Sequence, residues 1–433
     1  MKNVLFIAYY FPPMGGSGVQ RPLKFVKYLR QFGWNPIVVC PEPGLYSHFD
    51  ESLADELKEI APDIYRVKAK TLFHSTGSDS KRIDYIPDFI TQKIRRVQRL
   101  FLFPDNKKGW ISPAVKECFN IITKTDVDLI YSTAPPFSNH IAASEVSKQS
   151  GIPLVLDYRD AWLNNHFMDE MFDWQKKKMK KLEKSCLKQA SGVTGLDQFM
   201  LKGMKEVYGK QFPECKVISH GYDADDFKDH TSSSLDYQEG KLNILYSGLF
   251  YESNQPDVFL KGVSQAIRNG YFSKGEVHLH FQGGIEPRVK RLIQKLGLAD
   301  VCTNYGYLPH QKAVANLKKA DLLWMISNFS SEHKQIKSGK LFEYIGSQKP
   351  ILGILHKGAA AEILQSYGGG FVAKVDSAVD VATKLHTIHD VWKKGELPAA
   401  KKDYVEQFDR KGLTGELAAF FDEISSMSQP RFS

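Results

Sequence analysis

The chain lacks long apolar runs, metal-binding cysteine spacings and common nucleotide-binding fingerprints. No stretch of about 18 apolar residues occurs, which argues against a membrane-spanning helix. The 433 residues include five cysteines, scattered and without a CxxC pair, so structural zinc and a disulfide framework are poorly supported. Neither GxGxxG nor a P-loop is present. With 42% hydrophobic and 25% charged residues, the composition is that of a globular protein.

Basic residues outnumber acidic residues in the chain. The formal net charge of +9 suits an anionic partner. Residues 93–108 interleave Arg and Lys with aromatic side chains, as helices on anionic membrane surfaces do. A second basic cluster, Lys176–Lys181, is more simply interpreted as the solvated face of a helix. No nucleic-acid motif accompanies the charge. The first apolar strand is too short for a signal peptide, so a cytoplasmic protein, peripheral on the inner membrane face, is expected.

Short apolar strands alternate with amphipathic helical segments in both halves of the chain. This alternation predicts an α/β fold with parallel sheets, here two Rossmann-like domains facing each other across a cleft. We expect an N-terminal domain over 1–220, a linker over 221–240 and a second domain over 241–408. The tail over 409–433 has helical spacing and is expected to cross back to the first domain.

Ligands of open parallel sheets bind outside the carboxyl ends of the strands. After the first strand lies a glycine-rich loop that contains Gly15 and Gly16, followed by a helix with Arg21. Such a loop lets a backbone approach a phosphate or a sugar, and Arg21 would add charge. A plain tight turn explains the same residues.

Asp157-Tyr-Arg-Asp-Ala-Trp162 follows another strand of the first half. Two carboxylates and a guanidinium at a strand end predict a functional site, in which Asp160 orients an acceptor hydroxyl. A structural pair of Asp157 with Arg159, or an N-cap role for Asp160, is the alternative.

In the second half, Gly248 and Gly284 follow strands and leave room for a nucleotide. A helix starting near Gly339 would direct Glu343 toward its N-terminal end. There Glu343 could accept both ribose hydroxyls, while Lys340 and the helix N-terminus meet a diphosphate. The alternative is an ordinary amphipathic helix with Glu343 on its solvated face.

Asp223 and Asp225 form a DxD sequence, a pattern that can bind a metal and a diphosphate. They open the expected linker, where acidic turn residues are ordinary. We therefore expect no metal there.

Several weak motifs occur in a recognisable order along nearly the whole chain. They are FPPMGGSGVQRPLKFVKYLRQFGW, FPDNKKGW, DLIYSTAPPFSNHIAA, GIPLVLDYRDAW, VISHGYDADDF, LYSGLFYESNQP and KLFEYIGSQKPILGI. In this combination the chain resembles glycosyltransferase family 4-like enzymes of the GT-B fold, especially those of bacterial surface-polysaccharide pathways.

The resemblance implies transfer of a sugar from a nucleotide donor to a glycan or lipid-linked acceptor, with retention of configuration and without a metal or other cofactor. A UDP-sugar is the expected donor. It implies that the Gly15–Gly16 loop lies near the donor phosphate and the acceptor, and that Asp160 with Arg159 lies at the reacting centre. It also implies that Gly284 lies beside the base, Lys340 near the diphosphate and Glu343 on the ribose. A non-catalytic scaffold protein of the same fold is the alternative.

The sequence departs from the family pattern at three places. Family members often carry a second glutamate eight positions before the ribose-binding one, where this chain has Gln335. A basic pair common after the first strand of the second domain is absent from Phe250–Gln255. His220 stands where Asn is usual. Gln335 can still bond a sugar hydroxyl, and Lys340 must carry more of the phosphate charge.

Overall fold

The computed structural model describes residues 1–43, 49–68, 103–163, 171–228, 232–250, 254–328 and 339–427. The chain forms two compact units, one of Met1–Ser219 with Thr414–Ser433 and one of His220–Leu413. The expected linker, 221–240, therefore clusters with the second unit. Gln335 and residues 93–102 of the basic segment lie outside the described residues.

A parallel sheet with helices around it builds the first unit. Its strands are β1 (Lys2–Ile7), β2 (Trp34–Pro41), β3 (Asp63–Val67), β4 (Leu129–Ala134), β5 (Leu154–Tyr158), β6 (Gly192–Gly195) and β7 (Glu214–Val217). They lie in the order β3-β2-β1-β4-β5-β6-β7. The central strands are buried on both faces, which explains their unbroken apolar sequences.

The helices before the second unit are α1 (Ser17–Leu29), α2 (Glu51–Ile60), α3 (Ile111–Ile122), α4 (Ser138–Ser150), α5 (Asp173–Gln189) and α6 (Gln198–Tyr208). Most carry apolar side chains at helical spacing, and these pack into the core cluster on the sheet.

The second unit repeats this design with a smaller parallel sheet. Its strands are β8 (Leu242–Ser247), β9 (Val277–Gln282), β10 (Cys302–Asn304), β11 (Leu322–Ser327), β12 (Ile351–Leu355) and β13 (Gly370–Ala373), in the order β10-β9-β8-β11-β12-β13. Its helices are α7 (Asp257–Arg268), α8 (Pro287–Lys295), α9 (His310–Lys319), α10 (Lys340–Ser347), α11 (Ala359–Tyr367), α12 (Ala378–Lys393) and α13 (Lys402–Glu406).

The last helix, α14 (Arg410–Met427), belongs to the first unit from Thr414 on. Phe421 packs edge-on against Trp34 and Tyr131, with ring centroids 5.4 Å apart in each pair. A Cβ added at Gly192 would lie 2.9 Å from the Phe420 ring, so the first residue of β6 must be small for this helix to pack. Through these contacts α14 completes the core of the first unit.

Each sheet reverses its strand order at one place, between β1 and β4 and between β8 and β11. At such a reversal the connections leave in opposite directions and open a crevice at the carboxyl ends of the strands. The residues just after β1, β4, β5, β8, β9 and β11 are therefore where ligands are expected.

The two-sheet α/β architecture expected from the sequence is confirmed. Among the described residues, no helix is both long and apolar enough to cross a membrane. The five cysteines are free thiols, and Cys40, Cys118 and Cys186 are buried.

Candidate functional site

Glycines shape the carboxyl ends of β8 and β9 in the second unit. Gly248 and Gly283 have φ values of +123° and +124°, a region that favours glycine. A Cβ at Gly283 would lie 2.2 Å from the carbonyl oxygen of Gly248, so the two loops touch backbone to backbone. Gly284 is exposed beside them. A ligand can thus approach the main chain closely at this edge.

Lys340 lies against the first of these loops. Its ammonium donates to the Tyr246 hydroxyl at 2.7 Å and lies 3.9 Å from the centroid of that ring. A Cβ added at Gly248 would be 2.8 Å from Lys340 Nζ, so only glycine leaves room for the amine here. Burial lowers the pKa of Lys340 to about 7, although the nearby charge of Glu343 opposes this. The amine is therefore a cation that titrates near neutral pH.

Helix α10 positions Lys340 and Glu343 one turn apart. Its N-cap residue, Gly339, offers no side chain to the first turn, and its carbonyl oxygen accepts from the Phe342 N–H at 3.1 Å. The buried Tyr344 hydroxyl accepts from the Ser247 backbone N–H at 2.8 Å and fixes the helix to the end of β8. Glu343 lies in the first turn and is half-buried. A cation, a carboxylate and the N-terminal N–H groups of the helix thus share one end of α10.

The glycine-rich loop of the first unit leads into α1. Gly15 is buried, and Gly16 is exposed with a φ of +103° directly before the helix. Arg159, at the end of β5, holds this region together. Its guanidinium donates to the carbonyl oxygens of Gly18 (2.5 Å), Ala134 (3.3 Å) and Pro135. Arg159 thereby joins the carboxyl ends of β4 and β5 to the start of α1.

Arg21 and Asp157 form a buried ion pair. The Arg21 Nη2 and Nε atoms donate to the two carboxylate oxygens at 2.7 and 3.0 Å, and both side chains are at most 1% exposed. Thr133 and Thr194 also donate to Asp157, each at 2.8 Å. Burial alone would raise the pKa of Asp157, but Arg21 and the hydroxyl donors lower it to about 2.

The pairing differs from the one considered from the sequence. Asp157 pairs with Arg21, which lies 136 residues away, and Arg159 bonds to backbone carbonyl groups instead. Arg21 Nη1 and Nη2 also donate to the carbonyl oxygens of Ser219 and Ile218, at 2.7 and 2.9 Å. Because Arg21 and Asp157 form an ion pair inside the unit, this geometry favours a positioning role for both residues over direct contact with the acceptor or a phosphate.

Asp160 follows Arg159 at the same edge and is partly exposed. A cation that the sequence analysis assigned only to the basic segment 93–108 lies near this edge: Lys107 is half-buried and lies 5.3 Å from the ring centroid of Tyr9, which follows β1. Burial lowers the pKa of Lys107. Asp105 accepts from the Ser138 N–H and hydroxyl at the start of α4, at 2.9 and 2.7 Å. The FPDNKKGW motif contains both residues and was the available signal.

The DxD aspartates serve a turn. Asp223 caps the 3-10 turn Ala224–Phe227 and accepts from the Asp225 N–H at 3.0 Å. Asp225 pairs with Lys228 at 3.1 Å. These contacts favour the structural interpretation made from the sequence.

Comparisons with known proteins agree with this architecture. Residues 20–226 match the model of Glycosyltransferase Family 4. No curated protein matches the chain by sequence. The chain is similar in fold to HepE of Anabaena, solved with UDP and glucose, at 15% identity and a TM-score of 0.68 over 98% of this chain and 100% of HepE.

Two further solved structures show how widely the fold is shared. Sucrose-phosphate synthase from Thermosynechococcus elongatus is 12% identical, with a TM-score of 0.63 over 99% of this chain and 100% of the other. A putative UDP-N-acetylglucosamine 2-epimerase from Listeria monocytogenes is 12% identical, with a TM-score of 0.57 over 100% and 98%. Residues 20–226 thus match Glycosyltransferase Family 4, and the two-sheet architecture of the chain is the GT-B fold that these solved structures share.

The buried ion pair predicts a large loss of stability on Arg21→Met. The variant leaves the Asp157 carboxylate buried without its cation, which should lower the unfolding free energy by about 3–5 kcal/mol. Urea unfolding of the full chain, followed by circular dichroism, measures the loss. Lys58→Met removes an ion pair of exposed partners, Lys58 and Asp55, and should leave the unfolding free energy nearly unchanged, because solvent screens this pair. Equal losses in both variants would contradict the assignment.

The same pair makes stability depend on pH. Because the pKa of Asp157 in the folded protein (about 2) lies below its ordinary value of 3.8, its contribution to stability is present above pH 4 and is lost as the pH falls toward 2. The unfolding free energy of the wild-type protein should fall over this interval more steeply than that of Asp157→Asn. Parallel curves would show that Asp157 is not the responsible carboxylate.

Proposed function

We propose that the protein transfers a sugar from a nucleotide donor, a UDP-sugar, to a hydroxyl group of a lipid-linked or polysaccharide acceptor. The observation that carries the proposal is the end of α10, where Lys340 and Glu343 lie one turn apart beside the glycine loops. The family match over residues 20–226 supports a transferase. HepE, which shares the fold, was solved with UDP-glucose, and this supports the choice of nucleotide.

In this proposal the second unit binds the donor. Glu343 accepts hydrogen bonds from the two ribose hydroxyls, and Gly284 leaves space for the base. Lys340 and the N–H groups of α10 bind the diphosphate. Gln335 would bond a hydroxyl of the donor sugar. At the place where the family often has a basic pair, Phe250 is buried and stacks on the Tyr246 ring with centroids 4.2 Å apart. In this proposal Lys340 therefore supplies the positive charge that meets the diphosphate.

The first unit then presents the acceptor. The bond between the anomeric carbon and the diphosphate oxygen breaks, and a bond to the acceptor oxygen forms on the same face of the sugar. The acceptor proton passes to the departing diphosphate, so no protein nucleophile and no metal take part. Asp160 orients the acceptor hydroxyl, Arg159 fixes that strand end, and Gly15 and Gly16 let the backbone approach the donor phosphate.

The acceptor is proposed to belong to cell-surface glycan synthesis at the cytoplasmic membrane face. Residues 93–108 would contact anionic lipid there. Phe103–Lys108 are the described part of this segment, and its arginines lie outside the described residues.

Nucleotide binding tests the donor site. UDP should raise the melting temperature of the protein more than GDP, CDP or TDP, also in the presence of EDTA, because a ligand of the folded state stabilises it. Glu343→Ala should abolish the shift. Glu362→Ala is a matched control, because it removes another glutamate from the first turn of a helix in the same unit. No shift with any nucleotide would refute the donor site.

The pKa of Lys340 predicts how affinity varies with pH. Lys340 is protonated below pH 7 and loses its charge above it. The affinity for UDP-glucose, whose phosphates are both esterified, should therefore fall about tenfold from pH 6 to pH 8. Isothermal titration calorimetry measures the change. Lys340→Met should bind weakly at both values, and Lys340→Arg should keep its affinity at pH 8. A flat wild-type profile would contradict a charged Lys340 on the diphosphate.

A transfer assay separates the enzyme from a non-catalytic scaffold of the same fold. Asp160→Asn should bind UDP as the wild type does but lose at least about 100-fold in transfer of labelled sugar to a membrane extract. Asp173→Asn, an exposed aspartate of the same unit, is the control. Nucleotide binding without transfer by the wild-type protein would favour the scaffold.

A further inference from the structure

Helix α5 carries a large and uncompensated positive charge. Seven of its 17 residues are lysines, and all except Lys176 are exposed. No described carboxylate forms an ion pair with any of them. The helix has two acidic residues, Asp173 at its start and Glu183, which is 1% exposed and accepts from the Tyr208 hydroxyl at 2.7 Å. The face that α5 turns to solvent is thus strongly cationic.

Two exposed aromatic side chains begin this face. Phe172 and Trp174 are 60% and 53% exposed, among the most exposed large hydrophobic residues described in the chain. Trp174 precedes Lys177, Lys178 and Lys181 by three, four and seven residues, so all four side chains lie on one side of the helix. Single exposed apolar residues are common, but two aromatics beside a lysine row indicate an interaction surface.

The basic-aromatic segment 93–108 reaches the same surface. The rings of Phe103 and Trp174 have centroids 5.7 Å apart. Lys178 Nζ lies 4.3 Å from the centroid of Phe103. The described end of that segment is therefore continuous with the start of α5.

A cavity opens beside the lysine row. It has a volume of about 310 Å³ and is lined by Lys180, Lys184, Val207, Tyr208, Lys210 and Gln211. Three of the lining residues are lysines, and lysine binds a phosphate group as a point charge. The Tyr208 hydroxyl is committed to Glu183 and leaves the lysines as the cavity's charged groups.

We propose that the α5 face, made of Phe172, Trp174, Lys177, Lys178, Lys181 and Lys184, docks on an anionic phospholipid bilayer, with one headgroup phosphate in the adjoining cavity. The lysine stems lie along the apolar boundary while their ammonium groups meet headgroups. Trp174 and Phe172 enter the interfacial layer, where aromatic side chains are stabilised. A soluble polyanion that has no apolar or aromatic groups would account for the lysines but leave both aromatic rings in water.

This inference extends the membrane contact in the proposed function, and its test requires no transferase activity. Vesicles of phosphatidylcholine, with and without phosphatidylglycerol, are floated with the full-length protein. The wild type should float with the anionic vesicles alone. Replacing Lys177, Lys181 and Lys184 with Gln should weaken binding on the order of 100-fold, about fivefold for each lysine. Trp174→Ala should weaken it independently of salt.

Matched variants make the result specific. Replacing Lys290, Lys295 and Lys312 of the second unit, all exposed, with Gln removes the same charge and should leave flotation unchanged. Neutralising Arg95, Arg96 and Arg99 tests the 93–108 contact separately. If that variant alone abolishes flotation while the α5 variants float normally, the α5 proposal fails and the other contact stands.

Two further outcomes would overturn the proposal. One is thermal stabilisation by glycerol phosphate that depends on Lys180, Lys184 and Lys210, with no vesicle binding, which would make the cavity a site for a soluble anion. The other is tighter binding of α5 to single-stranded nucleic acid than to anionic vesicles at equal salt. Melting curves of each variant in the absence of ligand confirm that it is folded.

Discussion

The ion pair of Arg21 and Asp157 is the constraint on which the first unit depends. Both groups are removed from water, and this costs several kcal/mol for each ion unless every hydrogen-bonding atom finds a partner. Here Arg21 joins α1 to β5 and to the backbone after β7, while Asp157 also accepts from hydroxyls on β4 and β6. The start of α1 is therefore fixed relative to four strand ends. The fixed start of α1 in turn positions the glycine-rich loop and Asp160.

The second unit holds its edge in a different way. Its fixed points are neutral: the Tyr344 hydroxyl on the end of β8 and the backbone contact between Gly248 and Gly283. No described carboxylate forms an ion pair with Lys340, whose ammonium bonds instead to a phenol. A desolvated lysine that forms no direct ion pair gains most from an arriving anion, since the anion stabilises the ammonium charge that burial has removed from water. This unit is therefore suited to bind a phosphorylated ligand, and the first to hold a framework.

Most strands and helices of the central sheets were predictable, because buried parallel strands have unbroken apolar sequences and helices have apolar residues at helical spacing. The half-exposed edge strand β3 (Asp63–Val67) lacked so clear a signal. The ion pairs could not be predicted from the sequence. Asp157, Arg159 and Asp160 follow one another closely at the end of β5, and only the fold brings Arg21 to Asp157. Lys107 was assigned only to the basic segment 93–108, because nothing in the sequence places that residue beside Tyr9. The residue roles assigned to Glu343, Lys340 and Asp160 stay predictions.

The fold does not select the reaction. A putative epimerase shares the architecture of this chain about as closely as some transferases do, so binding of a nucleotide-sugar by the second unit would suit either chemistry. The distinction must come from the first unit, because a transferase needs a second substrate and an epimerase does not. Among the four charged side chains Arg21, Asp157, Arg159 and Asp160, we assign the orienting role to Asp160. Arg21 and Asp157 are buried and paired with each other, and the Arg159 guanidinium donates to backbone carbonyl groups. If the basic and aromatic α5 face of the same unit docks on a membrane, it would bring the Asp160 carboxylate to an acceptor held there. An epimerase, which acts on the nucleotide-sugar alone, would not need such a surface.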